Sequence, residues 1–230
     1  MIMESSNYPP TERPDVAVDT VIFTIDAGTL KVLLIVRDHD PFTGMHAIPG
    51  AFVLINERLD EAASRVLRDK GGMARISYME QLYTFGEPNR DPRGRVIGIS
   101  YLAIVNAGSV HISETISRAS WFDVNDLPPL AFDHADILKY AVQRLQWKIE
   151  YTTAAFAFLP EEFPLSSVKH VYETILGKEF NKGNFWHRML AREMLRETGR
   201  VEDIPESRRV HRPGKLYRLN RNIGDIIPIF

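Results

Sequence analysis

The sequence predicts an α+β protein: an N-terminal α/β/α sandwich joined to a small C-terminal helix-turn-helix unit that ends in a basic hairpin. Three observations carry this. Apolar, β-branched runs outnumber helical ones up to about residue 150, with one helix between strand pairs and one closing the unit. After Tyr151 two helical segments follow in succession, and then an alternating stretch. The charge also changes sign. Residues 151–230 hold 13 Lys and Arg against 10 Asp and Glu, a net of +3, so the rest of the chain carries −5.

Val16–Ile25 and Lys31–Arg37 flank Asp26-Ala27-Gly28 and read as a hairpin. Asp38–His46 is a loop with Pro41 and Gly44, and His46–Val53 is short, extended and broken by Pro49-Gly50. Arg58–Lys70 is a helix with Leu59, Ala62, Ala63, Val66 and Leu67 on one face, stopped at Gly71-Gly72. Tyr78–Phe85 and Val96–Val105 are strands around the polar loop Glu87–Arg95, and Ala119–Phe122 is a last short strand. Phe132–Ile149 is a helix with one apolar stripe. Thr152–Pro164 reads as a connector, Leu165–Leu176 as a helix stopped by Gly177, and Lys182–Glu197 as a second helix stopped by Gly199. Lys215–Leu219 alternates like a strand. Helix, turn, helix and basic hairpin form the plan of a winged helix-turn-helix.

Composition narrows the function classes. The hydrophobic and charged fractions, 44% and 25%, are those of ordinary globular chains and exclude a disordered or fibrous one. The absence of cysteine excludes disulfides and thiolate chemistry and suits the cytoplasm. Residues 1–15, with Pro9, Pro10 and Pro14, lack the apolar core of a signal peptide and read as a flexible tail. No run reaches the roughly 18 apolar residues of a membrane span. Ser207–Arg221 holds six basic residues and no acidic one, which fits either an anionic partner or a solvated loop.

Residues 50–73, GAFVLINERLDEAASRVLRDKGGM, resemble the Nudix box G-x5-E-x7-R-E-U-x-E-E-x-G-U, where U is aliphatic. Ala51 stands at the first glycine, Glu57 at the first glutamate, Arg65 at the arginine, Leu67 at the aliphatic position and Gly72 at the later glycine. Where the family places three glutamates that hold Mg²⁺ or Mn²⁺ at a diphosphate, this chain has Val66, Asp69 and Lys70. Hard cations need converging anionic oxygens. At an effective dielectric of ~20, two unit charges ~4 Å apart interact by ~4 kcal/mol, so Lys70 opposes a divalent ion. The resemblance therefore implies a sandwich with no catalytic residue, no bound metal and no cofactor. Eight residues apart, Glu57 and Arg65 are not expected to pair along the helix; the family's arginine braces its loop by pairing with a glutamate.

A degenerate site of this kind still binds. Asn89–Arg95, with Arg90 and Arg93, resembles the R-D-P-R-G segment of Nudix proteins that act on ADP-ribose, although its composition also suits a solvated turn. Arginine forks match diphosphate oxygens, and Arg37 at a strand end is another candidate. Phe52 either stacks on a base or fills core, and core is the simpler reading. The expected ligand-binding set is Arg37, Phe52, Glu57, Arg65, Arg90 and Arg93.

In the C-terminal unit, Lys182, Asn184, His187, Arg188 and Arg192 recur near helical spacing, with Arg196 one turn further on. Phe185, Trp186, Met189, Leu190 and Met194 are available to bury against Leu165–Leu176. That is the layout of a recognition helix, with Arg208, Arg209, His211, Arg212 and Lys215 as a wing toward phosphate or minor groove. His211-Arg212-Pro213-Gly214-Lys215-Leu216-Tyr217 resembles the wing of Nudix-related transcriptional regulators. With Leu130-Ala131-Phe132-Asp133-His134, the resemblance spans nearly the whole chain. It implies a tail at 1–15, a ligand-sensing Nudix domain at 16–150, a linker at 151–164 and a winged-helix DNA-binding domain at 165–230. It also implies a dimeric, cytoplasmic repressor of genes such as those of NAD metabolism. Its partners would be double-stranded operator DNA and an effector that is ADP-ribose, a related nucleotide or a sugar. Two other readings compete: an active hydrolase of a substrate such as ADP-ribose, which Val66 and Lys70 disfavour, and a module whose basic tail binds protein.

Overall fold

A computed structural model describes residues 13–73, 76–109, 118–203 and 213–227. Strands β1 (Asp15–Asp26) and β2 (Thr29–Val36) pair antiparallel through the expected hairpin. β3 (His46–Ala47) adds to β2 and β4 (Gly50–Phe52) to β1. After helix α1 (Leu59–Asp69), β5 (Tyr78–Phe85) pairs antiparallel with β6 (Val96–Ile104), which runs parallel to β1. β7 (Ala119–Asp123) completes a mixed sheet on the far edge of β2.

Alternation along the central strands sorts the core into two layers. Ile22, Leu33 and Ala103 face one side with Leu67 of α1. Val21, Phe23, Val32, Leu34, Leu102 and Ile104 face the other, with Ile137, Leu138, Ala141, Leu145 and Ile149 of helix α2 (His134–Tyr151). Successive strand residues point to opposite faces, so a sheet with helices on both sides requires near-continuous apolar strands. One acidic residue interrupts the apolar run of β1: Asp19, buried at 6% exposure.

The second core layer does not end with α2. It continues through Ala154, Ala155, Phe156, Ala157 and Phe158, then Val168, Val171, Tyr172 and Ile175 of helix α3 (Leu165–Leu176), and Phe185 and Met189 of helix α4 (Lys182–Ala191). The segment expected to be a connector is thus a buried 3-10 helix over Thr153–Phe158. It is pinned by Thr153 N–H donating to the Asp225 carbonyl at 3.0 Å and Asn106 Nδ2 donating to the Phe158 carbonyl at 2.7 Å.

The second predicted helix ends earlier than its apolar spacing implies. α4 stops at Ala191, and Leu195–Val201 forms β9, paired with β10 (Lys215–Leu219). β8 (Phe163–Pro164) lies on the other side of β10. A left-handed Glu193 (φ 52°) turns the chain, and Leu195 pairs with Leu219, so strand partnership overrides helical spacing. Gly199, expected to stop the helix, lies within β9 at φ 77°, where the ladder shifts register. Among the described residues no helix is long and apolar enough to cross a membrane.

Candidate functional site

Segments distant in sequence meet around one cavity of about 430 Å³. β1 supplies Asp19, the end of β2 supplies Arg37, and β4 supplies Phe52. The C-terminus of α1 supplies Asp69 and Lys70, the β5–β6 loop Arg90, Asp91 and Arg93, and the entry to α2 Phe132 and His134. The volume lies in the range of small-molecule sites.

Of the six residues expected to bind ligand, Arg37, Phe52, Arg90 and Arg93 line this cavity. Phe52 is not core: it is 40% exposed, with the Arg93 guanidinium 5.1 Å from its ring centre. Glu57 and Arg65 do not line the cavity. They do not pair along the helix but form the loop brace that the resemblance implies, Arg65 Nε donating to Glu57 Oε1 at 2.7 Å and Nη2 to Oε2 at 2.8 Å. Glu57 precedes the helix, so the loop carries it back over Arg65; helical spacing does not apply. Arg65 also donates to the Phe52 carbonyl at 3.0 Å, which ties β4 to α1. The hydrogen bond from Arg65 holds the Glu57 carboxyl at about pKa 2.

Arg90 is buried at 5% side-chain exposure and forks onto Asp133 at 2.7 and 2.8 Å, with a longer contact to Asp19 at 3.4 Å. A Cβ at Gly98 would stand 2.6 Å from Arg90 Nη1, so the strand needs glycine there to seat the guanidinium. Arg90 thus braces β1, the β5–β6 loop and α2. Arg93 forks onto Asp91 at 2.6 and 3.0 Å, and Arg118 pairs with Asp38 at 2.5 Å.

Two cavity cations differ from these. Arg37 donates to the carbonyls of Pro41 at 2.8 Å and His39 at 3.3 Å, and Lys70 donates to the Gly50 carbonyl. Among the described residues neither has a carboxylate partner within 4 Å. Burial and then the like charge of Arg37 lower the Lys70 pKa; burial and then Arg93 lower that of Arg37. Both cations are held by main-chain dipoles and face a common space.

Phe132 forms the wall beside them. It holds a left-handed backbone (φ 54°), and its ring meets Arg37 at 4.7 Å, Arg93 at 5.6 Å and, edge-on, Phe42 at 4.8 Å. His134 accepts from the Ile48 N–H at Nδ1 (2.9 Å), and burial lowers its pKa, so the ring is neutral. Sequence reasoning missed Asp19, Phe132, Asp133 and His134 as site residues. An acidic residue inside the apolar run of β1 was the available signal for Asp19.

The C-terminal unit presents a second surface. The Asn181 side chain caps α4 by accepting from Asn184 N–H. Asn184, His187 and Arg188 are exposed at i, i+3 and i+4, on one face opposite buried Phe185 and Met189. Lys182 instead lies over the Trp186 ring at 4.5 Å. Leu190 is 44% exposed, and Arg192 is the helix C-cap. Arg196 stands on β9, not on the helix. Lys215 pairs with Glu197 at 2.9 Å. Arg208, Arg209, His211 and Arg212 lie outside the described residues.

Residues 13–143 match the NUDIX domain family, and residues 155–219 match the NrtR DNA-binding winged helix domain. The chain is 35% identical over 221 residues to the ADPR responsive transcriptional repressor NtrR of Acinetobacter baylyi, spanning 94% of this chain and 84% of that protein. The structure of Shewanella oneidensis NrtR complexed with a 27mer DNA matches with a TM-score of 0.80 at 33% identity, covering 89% of this chain and 93% of that one. The NUDIX domain of the same Shewanella protein, complexed with ADP ribose, matches with a TM-score of 0.54 at 34% identity, over 60% of this chain and 94% of that one.

Proposed function

The chain belongs to the NrtR family of Nudix-related transcriptional regulators, and from that premise we propose that it is a cytoplasmic, dimeric repressor that binds operator DNA through α4 and its wing and is released by ADP-ribose bound in the Nudix cavity. The observation that carries the ligand assignment is the pairing, in one cavity, of two carbonyl-anchored cations with an aromatic wall. Arg37 and Lys70 suit a diphosphate, and Phe132 and Phe52 suit a flat ring system. The reader assignment rests on Asn184, His187 and Arg188 standing out from a packed helix.

The action is a population shift. A ligand that prefers one arrangement of the dimer draws it from the arrangement whose recognition helices match successive major grooves ~34 Å apart. In this reading the Nudix cavity binds and does not turn over. Fluorescence anisotropy on the protein's own promoter DNA, with and without ADP-ribose, tests both halves. ADP-ribose is expected to weaken DNA binding by about 5- to 150-fold, the usual span of allosteric coupling. Unchanged DNA binding at saturating ADP-ribose overturns the effector assignment. Hydrolysis of ADP-ribose with Mg²⁺ at about 1 s⁻¹ or faster, an ordinary enzymatic rate, overturns the binding-only view of the cavity.

A further inference from the structure

The Nudix resemblance implies a divalent cation held by signature-helix carboxylates, and the residues of this chain do not fit one. Val66 is 1% exposed on the buried side of α1 and does not line the cavity. Asp69 lines the cavity, but its neighbour Lys70 brings an ammonium into the same space and anchors it on the Gly50 carbonyl. Among the described residues no three His, Asp, Glu or Cys side chains converge as a metal site. A hard cation needs several anionic oxygens at once, and Lys70 adds positive charge where they would have to gather.

We propose that the cavity binds its diphosphate ligand without any divalent cation, with the Lys70 ammonium and the Arg37 guanidinium supplying the positive charge. This rests on the ADP-ribose reading above. The geometry is specific. Each cation is fixed by main-chain carbonyls, so its remaining N–H groups stay available for phosphate oxygens. The other cavity arginines already face carboxylates: Arg90 forks onto Asp133 and Arg93 onto Asp91, and Arg118 pairs with Asp38 through one contact. An anion between Arg37 and Lys70 also offsets the repulsion between two partly buried like charges. Lys70, which opposes catalysis, is on this account the residue that makes tight binding compatible with the loss of the metal.

The test is calorimetric titration of the full chain with ADP-ribose in excess Mg²⁺ and in excess EDTA, together with Mn²⁺ titration followed by electron paramagnetic resonance. The dissociation constants are expected to agree within about twofold between buffers. Mn²⁺ alone is expected to show no stoichiometric binding. Lys70→Gln is expected to weaken ADP-ribose roughly 10- to 100-fold in both buffers, the loss of a charge-assisted contact, and Lys70→Arg to restore most of it. Binding more than tenfold weaker in EDTA, or stoichiometric Mn²⁺ on the unaltered chain, overturns the proposal while leaving ADP-ribose as the ligand. No binding in either buffer overturns the ligand reading and this proposal with it. The Mg²⁺, EDTA and Mn²⁺ measurements decide even if Lys70→Gln fails to fold.

Discussion

Phe132 places a large side chain on a left-handed backbone, a conformation that disfavours any residue with a Cβ by roughly 1–2 kcal/mol. Tertiary contacts with Arg37, Arg93 and Phe42 hold it there. This reverses a usual ranking. Glycine is ordinarily worse than alanine by roughly 0.5–1 kcal/mol, but here Phe132→Gly is expected to be more stable than Phe132→Ala in urea unfolding. An alanine variant that proves the more stable refutes the strained-wall account. Both variants are expected to bind ADP-ribose at least about tenfold more weakly, since both lose the ring. At this scale the sequence was legible for charge type and misleading for partnership. Helical spacing by itself offered Glu57 and Arg65 no contact, and their pairing was legible only through the Nudix resemblance, because Glu57 sits in the loop before the helix. Arg90 read as a ligand fork, yet the fold places Asp133 and Asp19 around it, both remote in sequence. Arg90→Met is accordingly expected to lower stability by about 3–5 kcal/mol, because it leaves buried Asp19 and partly buried Asp133 without their guanidinium.

At the scale of elements, α2 begins in the cavity and ends against the connector. His134, on its first turn, is buried and neutral, with its pKa below the ordinary 6.5. The unfolded chain takes up a proton there that the folded chain refuses. The stability from His134 is therefore fully present above about pH 6.5 and is lost as pH falls below it. Thermal unfolding is expected to drop in temperature between pH 7.5 and 5.5, and less steeply in His134→Gln. Equal slopes for the two proteins rule His134 out as the source. For α4, Arg188→Ala is expected to weaken promoter binding by about 1–3 kcal/mol, whereas Lys182→Ala, which loses a cation stacked on Trp186, has a smaller effect. Anisotropy titrations over a salt series separate the two. Strands β1, β2, β5, β6, β7 and β10 and the first three helices were legible from their apolar runs and stripes, whereas β8 lay in the segment read as a connector and β9 began in the segment read as a helix. The end of α4 was not, because Met194 and Leu195 continue a helical pattern while their partner strand lies more than 20 residues on.

At the scale of the whole molecule, one apolar cluster runs from the central sheet through α2, the 3-10 segment, α3 and α4. Calorimetry is expected to show one unfolding transition. ADP-ribose at about 100 times its dissociation constant should add ~2.7 kcal/mol, moving that transition up by roughly 5–10 °C as a unit. Two transitions, of which ligand moves only one, would contradict a shared core. No period in the sequence announces such continuity, since Thr153–Phe158 offers neither a helical stripe nor strand alternation. Its burial follows from what packs on it.

The buried 3-10 segment also bears on how interchangeable the two halves are. Where a loose tether joins two modules, either half can be traded for a stranger. Here Phe156 and Phe163 share a ring contact at 5.5 Å, and Gln146 of α2 donates to the Ile175 carbonyl of α3 at 3.0 Å. A DNA reader taken from another lineage would present the wrong apolar face to α2, and a new sensor would meet α3 with the wrong shape. Recombination between such regulators is therefore expected to succeed only when the crossover keeps α2, the 3-10 turn and α3 together as one inherited block.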